Sequence, residues 1–207
     1  MNENQQKAFD SWAKFLNPEV LKSNLIAASL FLAAFEALRS SVISPIRDFY
    51  SCGFDQYGPI VDPEYQTKVL SLDKSPLRAS LLWLKDREVI SSGDMLLVDR
   101  IRKHRNQLAH ELMKYVATSD CEIDGELIVS IYELVAKIDR WWILNVEVPT
   151  NPDFDGYDVY ESGVQSGNMI FLKLMIDIVT GHESANEVYA SFMGSVREMG
   201  YNPKNRG

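Results

Sequence analysis

Apolar residues recur at steps of three and four along almost the whole chain, a spacing that suits helices and little else. Phe9, Trp12, Ala13 and Leu16 set a short amphipathic helix over residues 3 to 15. Asn17-Pro18-Glu19 reads as a helix start: an N-cap residue, proline at the first position, an acid in the first turn. The helix that follows is expected to run to about Ser41, with Pro45 kinking or ending it and Ile46–Tyr50 adding a turn or two. Residues 52–63 hold two glycines and two prolines and read as a loop. Ser75-Pro76 opens a helix through Leu81, Leu82 and Leu84. Ser91-Ser92-Gly93-Asp94 caps a long helix from about Asp94 to Val116. Asp124-Gly125-Glu126 caps another, with the stripe Leu127, Ile131, Leu134, Ile138 and Trp141. A short apolar helix is expected over 165–179. Ser184-Ala185-Asn186-Glu187 matches a capping box for a last helix ending near Gly200. No run alternates with a period of two. The expected class is all-α, an antiparallel helical bundle with extra C-terminal helices.

Length and composition narrow the function. At 207 residues the chain suits a single domain able to bury roughly 70% of its unfolded surface without disulfide or metal support. Its expected layout is a helical core over 18–145, an acidic loop over 146–163 and C-terminal helices over 164–200. Twenty-one basic against 29 acidic side chains leave a net charge of −8, which argues against a broad nucleic-acid or anionic-membrane surface and permits a local basic site. The two cysteines, Cys52 and Cys121, are far apart and form no disulfide framework or metal-ligand pair. The polar start, Met1 to Lys7, lacks the apolar region of a signal peptide. The most apolar stretch, Leu25–Leu38, is broken by Ser29 and Glu36 and falls short of the about 20 residues of a membrane span. A cytoplasmic protein without membrane association is expected.

One segment carries chemistry. Asp99-Arg100-Ile101-Arg102-Lys103-His104-Arg105-Asn106-Gln107-Leu108-Ala109-His110-Glu111 holds two of the three histidines and is the one concentrated basic patch. On a helix, Leu97, Ile101, His104, Leu108, Leu112 and Tyr115 share a core-facing stripe. Asp99, Arg102, Asn106 and His110 gather on the opposite face, which Met113 and Ala117 extend, and Arg105 sits on the flank between. A histidine titrating near neutrality can give or take a proton. An arginine can clamp a phosphate and stabilise charge developing on phosphorus. RNA brings its own nucleophile, the 2′-hydroxyl, so neither metal nor cofactor is called for. Asn106 can orient the phosphate or the histidine.

Arg105-Asn106-Gln107-Leu108-Ala109-His110 resembles the Arg-x4-His signature of the HEPN superfamily (higher eukaryotes and prokaryotes nucleotide-binding domains), with Asn106 in the place that family gives to a polar residue. The resemblance covers these six residues, with the helix layout extending it loosely over 18–145. It implies an all-α fold and a homodimer in which two motifs face each other across one RNA-cleaving cleft, here through the helix of Asp99–Ala117. It implies a metal-independent endoribonuclease of toxin or phage-defence type, with Arg105, Asn106 and His110 catalytic. Arg102 is a candidate for phosphate binding. The resemblance also brings in a partner antitoxin of nucleotidyltransferase type. Inactive members exist, so a non-catalytic module binding a nucleotide or a protein is the second reading, and an unrelated helical bundle the third.

The other candidates have blander readings. Arg105 could pair with Asp99, Glu111 or a carboxylate on another helix. Arg102 could be a solvated or interface charge. His104 is expected to be a hydrogen-bonded core residue, and His182 a surface residue at a helix terminus. The loop Asp153–Glu161 fails the calcium-loop pattern, because its twelfth position would be Val164 where a glutamate is needed. Trp141 continues the core stripe, and Trp142 is expected to line a groove or interface.

Overall fold

The computed structural model describes residues 2–118, 121–180 and 190. The capping box at Ser184–Glu187, the last helix, His182 and the polar tail lie outside these residues. Most of the described chain is helical: α1 (Glu3–Leu16), α2 (Pro18–Phe49), α3 (Pro63–Lys68), α4 (Pro76–Asp86), α5 (Ser92–His110), α6 (Leu112–Ala117), α7 (Gly125–Trp142), α8 (Val148–Thr150) and α9 (Gly167–Thr180). Asn17, Ser91 and Asp124 cap where the sequence places them. The Asn17 side chain accepts from the amides of Glu19 and Val20, and that of Asp124 from Glu126 and Leu127. Ser91 and Asp94 form a reciprocal capping box, which starts α5 at Ser92, two residues earlier than expected. Ser75 occupies the cap of α4 without a side-chain capping bond.

α2 is the hub, touching α1, α4, α5, α6, α7 and α9. Phe31, Leu38, Val42 and Ile46 are fully buried along it. They interlock with Ile101 and Leu108 of α5, Ile131 and Ile138 of α7, and Leu172 of α9 in one core. Burial on both sides of Pro45, at Ser41, Val42 and Ile46, carries the helix through the proline to Phe49. Packing there outweighs the ~3 kcal/mol that an interior proline costs, and the expected stop near Ser41 is overridden. Length also matters for the membrane question. An 18-residue window of α2 has mean hydropathy 1.6, enough by length and composition to cross a bilayer, and 44% of it is buried within the protein.

Three further expectations are corrected. Residues 52–63 are not a plain loop: β1 (Ser51–Asp55) pairs antiparallel with β2 (Gly58–Val61). Asp55 lies opposite Gly58, and the Asp55 carboxylate accepts from the Tyr57 amide at 2.7 Å. Gly58, at φ 122°, supplies a backbone conformation that a side chain would strain. The hairpin buries neither face, so no alternation marks it. Second, the long helix is broken at Glu111, whose φ of −124° and ψ of 29° separate α5 from α6. The break lets α6 pack on α1, where the Lys14 ammonium donates to the carbonyls of Thr118 and Cys121 at 2.7 and 2.9 Å. Third, Trp142 is the buried tryptophan and Trp141 only half-buried. The Trp142 ring stacks on Trp83 at 5.8 Å and 5°. The stripe continues from Ile138 by a step of four, and the chain then widens into a π-helical turn, Ile143–Glu147. The acidic loop beyond α8 is broken by 3₁₀ turns at Pro152–Phe154 and Glu161–Gly163.

Candidate functional site

α5 supplies the motif, and its register decides what each side chain meets. Met95, Val98, Ile101 and Leu108 face the core. Leu97 and Leu112, expected beside them, are half-buried at its edge. His104 also points inward. Its ring meets Phe31 at 4.8 Å and Tyr115 at 5.5 Å, both edge-on, and its Nε2 accepts from the Asp124 amide at 3.3 Å. An accepting Nε2 means the neutral ring carries its proton on Nδ1. Burial holds the imidazole below its ordinary range, partly opposed by the Asp124 carboxylate. His104 is therefore a half-buried histidine packed against the core, and it supports the start of α7.

Arg105 lies on the flank and is about one-third exposed. Its guanidinium reaches Glu36 on α2 at 3.3 Å and donates to the Asn106 side-chain oxygen at 3.2 Å. It also lies 5.1 Å from the Phe35 ring centroid. Of the partners considered for Arg105, the carboxylate on another helix is the one it finds. Arg102 pairs with Asp99 at 3.4 Å, and Asp99 is held in turn by Arg78 at 3.2 Å. These pairs are partly exposed, where an ion pair is worth about 0–1 kcal/mol and yields to a better ligand.

Arg102, Arg105 and Asn106 open onto one groove of about 440 Å³ between α5, α2 and the start of α4. Glu36 and Arg39 of α2 form its other wall, and Phe35, Ile43 and Leu77 its apolar lining. Glu36 and Arg39 were not among the sequence candidates. The available signal was the placing of two charges three residues apart within the otherwise uncharged stretch between Lys22 and Arg47.

His110 does not line that groove. It is exposed at the last residue of α5, immediately before the break. Five residues on a helix turn the side chain by about 140° from Arg105, so the two do not share a face within one chain. The face expected to continue past His110 is also redirected. Met113 and Ala117 line a separate apolar groove of about 340 Å³ with Ala8, Trp12 and Phe15 of α1. Among the described residues no three His, Cys, Asp or Glu side chains converge as a metal site would require.

Comparison of the chain with protein-family models, with curated proteins and with solved structures finds no match.

Proposed function

We propose that the protein is a metal-independent RNA endonuclease of the HEPN kind, acting as a homodimer in the manner of prokaryotic toxins or phage-defence nucleases. The observation that carries this reading is the groove in which Arg105, Asn106 and Arg102 converge, with His110 exposed about one turn beyond Asn106 on the same helix. Arg105 binds the scissile phosphate and stabilises its transition state, and Asn106 holds the guanidinium in place. The 2′-hydroxyl attacks phosphorus as its proton leaves, and the departing 5′-oxygen takes a proton. The products carry a 2′,3′-cyclic phosphate and a 5′-hydroxyl. Two proton transfers need two groups or one used twice, and a two-fold partner brings a second His110 to the cleft. The substrate supplies the nucleophile and the arginines supply positive charge, so this route calls for no metal or cofactor.

Incubation of purified protein with mixed RNA in a chelator, followed by analysis of product ends, tests the reading. Cleavage with cyclic-phosphate ends is expected. A strict requirement for magnesium would refute the mechanism. If no RNA is cut under any condition, the protein is a non-catalytic module binding a nucleotide or a partner protein, such as a nucleotidyltransferase-type antitoxin.

A further inference from the structure

Three guanidinium groups from two helices, Arg39, Arg102 and Arg105, line the groove, and Glu36 is the one acid among its lining residues. In a chain of net charge −8 this is a local excess of positive charge. Glu36 bridges the walls. One of its oxygens takes Arg105 at 3.3 Å and the other takes Arg39 at 3.5 Å. Both distances exceed the roughly 2.7–2.9 Å of a strong charge-assisted bond. The Glu36 and Arg39 side chains are 52% and 55% exposed, so neither is held by packing. An anion with two oxygens spanning two arginines at the mouth of a charged groove is the arrangement a phosphodiester adopts. The apolar lining from Phe35, Ile43 and Leu77 keeps water from screening that charge on one side.

We infer that Glu36 occupies the seat of a backbone phosphate, and that Arg39 is a further phosphate-binding residue which receives single-stranded nucleic acid when Glu36 swings out. Glu36 is then a built-in competitor. It offsets the repulsion between the two guanidinium groups it bridges, and it lowers affinity for any anion that cannot engage both. Because the seat reads phosphates and no 2′-hydroxyl, it binds single-stranded DNA as well as RNA. The inference rests on the nucleic-acid half of the function proposed above and not on cleavage.

The test uses the full chain and a labelled single-stranded DNA of about 20 nucleotides, a probe that carries phosphates but cannot be cut by 2′-hydroxyl attack. Fluorescence anisotropy is followed across a salt series. Glu36→Gln is expected to tighten binding about three- to tenfold by removing the competing charge. Arg39→Ala is expected to weaken it about tenfold and to lower the slope of log K against log salt by about 0.7, one phosphate contact. Arg100→Ala serves as control, since Arg100 lies outside the groove and pairs with Asp124 at 3.9 Å. Its affinity should stay within about twofold of the parent. Absence of binding by the parent at low salt, or parent-like binding by Arg39→Ala or Glu36→Gln, overturns the inference. DNA binding with these shifts but without RNA cleavage supports it and removes the nuclease reading alone. RNA cleavage with DNA binding that ignores Arg39 and Glu36 removes this inference alone.

Discussion

The two histidines of the motif segment differ in surroundings, and so in what their loss should do. His110 is exposed at the end of α5. His110→Ala is expected to lower the rate of RNA cleavage by roughly 10²–10⁴, the scale of losing a positioned proton-transfer group, and to leave the melting temperature almost unchanged. Arg105→Ala should cost a similar factor through loss of the phosphate clamp. A His110→Ala variant that cuts as fast as the parent would remove His110 from the mechanism. His104 behaves in the opposite way. Its ring is wedged between Phe31 and Tyr115 and accepts a backbone hydrogen bond that starts α7. His104→Ala is expected to cost about 1–3 kcal/mol of stability. Its imidazole protonates less readily in the folded protein than at the ordinary value of 6.5. The unfolded chain therefore takes up the proton first on acidification. The stability that His104 contributes is complete above about pH 6.5 and declines as pH falls towards the lower folded value. Thermal melts at pH 7.5 and 5.5 should show a drop in the parent that is smaller in the variant.

At the scale of elements, a buried acid tests how α9 is held. Asp139 of α7 is 7% exposed and accepts from the Ser166 hydroxyl just before α9, while Asn168 donates to Ser41 of α2 at 2.7 Å. Burial raises the Asp139 carboxyl above its ordinary value, against the opposing effect of the Ser166 and Ser41 hydroxyls. A raised folded value means the native state holds the proton more tightly than the unfolded chain. Stability from this group is therefore greatest in acid and falls as pH rises from about 3.8 through the folded value. Asp139→Asn should flatten that fall, and equal slopes in the two proteins, read by denaturant midpoints from pH 4 to 7, would disprove it. The tryptophans test the end of α7. Trp142→Ala, which empties the stack on Trp83, is expected to cost about 3–5 kcal/mol, and Trp141→Ala less than half as much. Equal losses in chemical denaturation would contradict the observed burial.

For the whole molecule, the separation of Arg105 from His110 around α5 is what makes a second copy matter. Within one chain Arg105 lines the groove and His110 stands exposed outside it, so the proposed mechanism needs both sides of α5. A two-fold axis near His110 would bring two histidines and two clamps to one cleft. Light scattering at micromolar concentration is expected to give twice the 23.6 kDa chain mass. A monomer would count decisively against a shared cleft. The net charge of −8 opposes broad nucleic-acid binding, so the proposed binding has to be local, at the groove lined by Arg39, Arg102 and Arg105.

Residue order alone determined the helical class, because a 3.6-residue period and local caps act within a turn or two of the chain. Asn17, Ser91 and Asp124 cap as read, and His104 packs inward because the stripe of Ile101 and Leu108 carries it there. Other features depended on partners distant in sequence. Pro45 stays inside α2 because burial of Val42 and Ile46 outweighs the lost hydrogen bond. The hairpin is held by a turn at Gly58 and by strand pairing, with no buried face to leave a pattern. The break at Glu111 accompanies the packing of α6 on α1, and the choice of Trp142 over Trp141 follows from where Trp83 lies. The motif Arg105–His110 could be read as six letters. That Arg105 meets Glu36, and that Arg39 joins the same groove, required α2 and α5 to come together across 69 positions of chain, a contact that no local pattern encodes.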